Sequence, residues 1–98
     1  MKSGYDIKWS NHALNELQDT FAYIQTHWTE KEVKNLAEQV ERTILIISHN
    51  PKLFQLTELE GIRRAVVMRK NSIFFRVRNK SKEVVILSFF NNYRNPIE

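Results

Sequence analysis

The sequence predicts an α+β fold with the order β-αα-βββ, a helical hairpin packed on one face of a small, mainly antiparallel sheet. Three observations predict it. Two stretches in the first half carry apolar residues at steps of three and four, the spacing of one helix face. Three stretches in the second half, rich in Val, Ile and Phe, alternate as half-buried strands do. The breaks between those three are short, so consecutive strands pair as a meander.

The elements follow in order. Tyr5, Ile7 and Trp9 alternate with Asp6 and Lys8 as a short half-buried strand. Ser10 or Asn11 then caps a helix by accepting a hydrogen bond from an orphan backbone N–H. Leu14, Leu17, Phe21, Ile24 and Trp28 form its apolar stripe, and the helix ends near His27. Thr29 with Glu32 is a capping box that opens a second helix. Its stripe is Val33, Leu36, Ala37, Val40, Ile44 and Ile47, and Pro51 stops it. So short a break between the helices predicts an antiparallel hairpin. Residues 52–61 read as an irregular connection, 62–69 as a strand and Lys70-Asn71 as a turn. A strand over 72–78, a polar turn over 79–82 and a last strand over 83–90 complete the layout.

A chain of 98 residues supports one domain, residues 1–98, with one core. Its 42% apolar and 11% aromatic content suits a packed globule. No apolar run approaches the ~20 residues that span a bilayer, and no secretory segment opens the chain, so the cytoplasm is the expected location and no membrane partner is expected. The absence of Cys excludes disulfides and thiolate metal sites. His12, His27 and His49 lack ligand spacing, so neither a metal nor another cofactor is expected.

Charge is unevenly placed. Residues 61–98 hold nine basic side chains (Arg63, Arg64, Arg69, Lys70, Arg76, Arg78, Lys80, Lys82 and Arg94) against Glu83 and Glu98, a net +7. Residues 1–60 hold six basic and nine acidic groups, a net −3, which together give the chain's +4. Alternation puts Ile73, Phe75 and Val77 on one face of their strand and Phe74, Arg76 and Arg78 on the other. The first set packs under the helices, so the arginines gather on the helix-free face and its rim. Such a face suits an anionic partner, either nucleic acid or an acidic protein. Arg63 and Arg64 point to opposite faces, so one of them joins the cluster and the other meets the rim or a helix carboxylate such as Glu38 or Glu41. Phe74 among arginines is a candidate anchor for a partner's apolar side chain or a stacked base.

The order and spacing of these pieces resemble the RelE/ParE superfamily of bacterial type II toxins, and its ParE-like (plasmid stabilisation) branch most. The resemblance rests on Ile7-Lys8-Trp9-Ser10, the paired helices, the Asn50-Pro51 end of the second helix, and Gly61-Ile62-Arg63-Arg64-Ala65-Val66-Val67. Ile86-Leu87-Ser88-Phe89-Phe90 followed by Tyr93-Arg94-Asn95-Pro96 completes it. The resemblance implies a toxin neutralised by a cognate antitoxin protein. RelE-like members cleave mRNA in the ribosome, whereas ParE-like members poison DNA gyrase.

RNA cleavage without a metal requires acid, base and phosphate-stabilising groups held together, each contributing ~10²–10⁴-fold. For a nuclease the resemblance assigns Tyr93, Arg94, Arg64 and Arg76. Tyr93 and Arg94 equally fit a structural tie of the tail to the sheet. Two departures weaken the nuclease reading. No His follows His49, and the third strand begins Ser72-Ile73-Phe74-Phe75 where nuclease members tend to carry Arg. The expected function is therefore a gyrase-binding, non-catalytic toxin, with Arg63, Arg64, Arg69, Phe74, Arg76, Arg78, Tyr93 and Arg94 as candidate binding residues. The alternatives are a metal-independent, ribosome-dependent mRNA interferase and a non-toxic antitoxin-binding or corepressor module. The helix exteriors carry no large apolar patch in the sequence, which leaves homodimerisation open.

Overall fold

A computed structural model describes residues 4–91. The predicted β-αα-βββ order holds: β1 (Asp6–Trp9), α1 (Asn11–His27), α2 (Glu30–His49), β2 (Gln55–Leu56), β3 (Ile62–Val67), β4 (Asn71–Arg78) and β5 (Glu83–Asn91). Two short elements are added. The segment expected to be irregular holds a 3-10 turn, Pro51–Leu53, and the two-residue strand β2 at the sheet edge. Two residues show too little periodicity to announce a strand. The five strands lie in the order β1-β5-β4-β3-β2, with β1 parallel to β5 and the other pairs antiparallel.

Both helix starts follow their sequence signals. Ser10 is the α1 cap, its hydroxyl accepting the Ala13 N–H at 3.0 Å. Its own N–H donates to the Ile86 carbonyl, so the cap also joins the helix to β5. Thr29 closes the capping box of α2: its hydroxyl accepts from Glu32 N–H at 3.2 Å, and the Glu32 carboxylate accepts from Thr29 N–H at 3.1 Å. Thr29→Ala should lower stability by about 1 kcal/mol, read as a shift in the urea midpoint at unchanged slope. At the far end of α2, Ser48 and Tyr5 exchange two hydrogen bonds of 2.8 Å, fastening the helix to the entry of β1.

The core lies between the helices and one sheet face. Ile24, Leu36 and Ile47 meet Ala65, Val67, Ile73, Phe75, Val84, Ile86 and Phe89, all fully or nearly fully buried. The α1 stripe is rotated from the expected one: Ala13 and Thr20 are buried with Ile24, while Leu14 is exposed. Thr20 can go inside because its hydroxyl donates to the Glu16 carbonyl one turn back. Trp9 and Trp28 pack against this core as half-buried residues.

Alternation fails once, in β5. Phe74 pairs with Ser88 but Phe75 pairs with Ile86, leaving Leu87 as an extra residue in a bulge. The bulge swaps faces, so Val84 and Ile86 point inward before it and Phe89 and Asn91 after it. The β3–β4 turn also moves from its expected place. β3 ends at Val67, the turn is residues 68–70, and Asn71 already belongs to β4. Among the described residues no helix is long and apolar enough to cross a membrane.

Candidate partner-binding face

Strand register builds the helix-free face in rows, because residues paired across antiparallel strands share a face. The middle row runs Gln55, Arg64, Phe74, Ser88. The next row towards the β4–β5 turn runs Ile62, Arg76, Val85 and continues to Lys8 on β1. Arg64, in the same row, and Arg76, in the next, therefore flank the half-buried Phe74. Of the arginine doublet, Arg64 is the member on this face. Its Nε donates to the Ser72 hydroxyl at 3.0 Å, which ties the guanidinium to β4, and the residue is exposed. Arg76 is held differently. Its guanidinium lies against Gly61, whose φ of 75° favours glycine and where a Cβ would come within 3.1 Å of the Arg76 Nη1.

The remaining candidates are dispersed. Arg63 points to the helix side and donates to the Phe54 carbonyl at 2.7 Å, anchoring the 52–61 connection; neither Glu38 nor Glu41 is its partner. Arg78 lies on the exposed rim, 4.0 Å from the Glu83 carboxylate, and Arg69 is at the β3–β4 turn. Tyr93 and Arg94 lie outside the described residues. A shallow groove of about 360 Å³ opens beside Arg64, between Val66 and the β2 edge residues Gln55, Leu56, Thr57 and Glu58. The described residues hold no group of His, Cys, Asp and Glu fit to bind a metal ion.

The sequence pattern of the ParE toxin of the type II toxin–antitoxin system parDE matches residues 7–96. The chain belongs to the ParE toxin family. Solved structures share its fold. A chain of the chromosomal ParDE toxin–antitoxin system from P. aeruginosa superposes with a TM-score of 0.76 at 17% identity, covering 92% of this chain and 98% of that one. The toxin–antitoxin complex RelBE2 from Mycobacterium tuberculosis gives 0.64 at 19% identity, covering 90% and 98%. The intact E. coli RelBE complex gives 0.65 at 12% identity, covering 89% and 95%. No curated protein sequence matches the chain.

Within this ParE-family chain, three residues of the face carry no sequence signal of their role. Lys8 joins the basic row because β1 pairs in parallel with β5, a long-range fact. Ser88 enters the Phe74 row only through the bulge. Glu16, on α1, reaches the same place: its Oε1 accepts from the Ser88 hydroxyl at 2.8 Å and the Phe89 N–H at 2.9 Å, while Oε2 lies 3.3 Å from His12 Nε2. The carboxylate thus occupies the edge of β5 that β1 is too short to cover.

Proposed function

We propose that the chain is a ParE-like toxin that acts by binding DNA gyrase and is neutralised by a cognate antitoxin. The observation that carries this reading is the composition of the helix-free face: Arg64 and Arg76 around Phe74, with Val66 beside them. Arginine with aromatic and aliphatic side chains is the make-up of protein-binding hot spots. The described histidines and tyrosines lie on the helices or at the entry of β1, none on the strands that carry these arginines, and the face offers charge and apolar grip, with the Glu16–His12 pair at its β5 edge. An acidic or extended antitoxin segment fits the same arginines or adds to the short outer edge at β2.

The test is a supercoiling assay with purified gyrase, run beside ribosome-dependent mRNA cleavage. Loss of supercoiling with intact mRNA is expected. Cleaved mRNA with unaffected gyrase would reject the reading and turn attention to Tyr93 and Arg94 as nuclease groups. Arg64→Ala is expected to weaken gyrase inhibition about tenfold, with an unchanged circular-dichroism spectrum because the side chain is exposed.

A further inference from the structure

The β3–β4 turn holds a strained backbone on residues that a turn of this shape does not favour. Residues 68–70 connect the paired Val67 and Asn71. Met68 has φ 51° and Arg69 φ 69°, and the Lys70 N–H donates to the Met68 carbonyl at 2.7 Å. A bond spanning two residues around a positive φ is the rare, strained form of γ-turn. Glycine or asparagine adopts such angles at least cost. This chain keeps Met and Arg there, and the surroundings impose the shape.

The clamp is at the root of the turn. Asn71 is fully buried and donates from Nδ2 to the Val67 carbonyl at 3.0 Å, bridging the two strands beneath the turn. Its Oδ1 accepts from Nδ2 of Asn91, the last residue of β5 and also buried. Two buried amides therefore fix the turn to the end of the sheet. The tip presents Met68, 39% exposed, beside Val66, 53% exposed, with exposed Arg69 and Lys70 next in the chain. Arg69 forms no ion pair with another described residue.

We propose that residues 68–70 are a preorganised docking finger for the toxin's protein target, with Met68 entering an apolar pocket and Arg69 and Lys70 meeting its acidic rim. Strain at an exposed tip is retained where the side chains it displays are used. A finger already fixed in shape loses little conformational freedom on binding. Met and Arg are both enriched at such interfaces. The inference rests on the reading of the chain as a target-binding toxin.

The test compares the full chain with its Met68→Gly and Arg69→Gly variants by thermal unfolding, titration against purified DNA gyrase and growth arrest on expression. Each glycine should raise the unfolding midpoint by roughly 4 °C, because strain is relieved. Each should also weaken gyrase binding at least tenfold. A raised midpoint with unchanged affinity makes the tip only a turn and overturns the finger. An unchanged or lowered midpoint removes its basis in strain and also overturns it. If the wild type arrests growth without binding gyrase, the gyrase reading alone falls, and equal arrest by wild type and variants then overturns the finger. A wild type that neither arrests growth nor binds gyrase overturns both.

Discussion

Phe75→Ala is expected to remove a large share of the fold's stability, about 3–5 kcal/mol. Phe75 is 0% exposed at the centre of β4, the middle strand of the sheet, and meets Phe54 edge-to-face at 5.8 Å and 85°. Truncating a buried Phe removes transfer free energy and leaves a cavity, together about 3–5 kcal/mol. A domain of this size has about 5–15 kcal/mol in total. The loss extends beyond the cavity, since Phe54 anchors the 52–61 connection and its carbonyl receives Arg63. Urea unfolding followed by tryptophan fluorescence reads the effect, because Trp9 and Trp28 both pack on this core. A midpoint corresponding to less than about 1 kcal/mol of loss would show that the core closes over the gap.

Glu16→Ala is the second large effect, expected at about 2–3 kcal/mol. The change removes a charged acceptor from two donors at once, the Ser88 hydroxyl and the Phe89 N–H. Phe89 is 1% exposed, so water does not readily replace the carboxylate. A buried donor left without a partner costs more than the net value of the bond it lost. Hydrogen exchange localises the result: the Phe89 amide should be protected in the wild type and exchange rapidly in Glu16→Ala. Glu16→Gln, which keeps an acceptor oxygen, should lie between the two. Equal protection in wild type and Glu16→Ala would mean that α1 does not serve as the edge partner of β5.

Glu16 also shows where sequence reasoning stopped. The helices, their caps and the three-strand meander were legible, because each rests on local spacing: Thr29 with Glu32, the Leu36–Val40–Ile47 stripe, the alternation from Ile73 to Val77. Family membership was legible for the same reason, as a succession of such pieces. What escaped depends on contacts far apart in the chain. Nothing local in Leu87 announces a bulge, and therefore nothing announces that Phe89 replaces Ser88 on the inner face. Lys8 belongs to the basic face only because β1 lies parallel to β5. Arg63 and Arg64 were known to diverge, but choosing between them needed the register with Phe75 and Phe74. The Lys70-Asn71 turn was misplaced because Asn is a common turn residue, whereas Asn71 is a buried clamp and Met68 and Arg69 make the bend.

The parallel pairing of β1 with β5 has a consequence for synthesis. The first strand waits for the last, and β5 lies between β1 and β4, so the sheet cannot close until the chain is made past residue 91. Contacts of such long sequence separation form late and slow folding. A nascent chain on the ribosome has its helices but neither the inner wall of Val84, Ile86 and Phe89 nor a complete row through Phe74. Abortive products ending before β5 therefore lack both core and binding face, and the assembled surface exists only once β5 has been made.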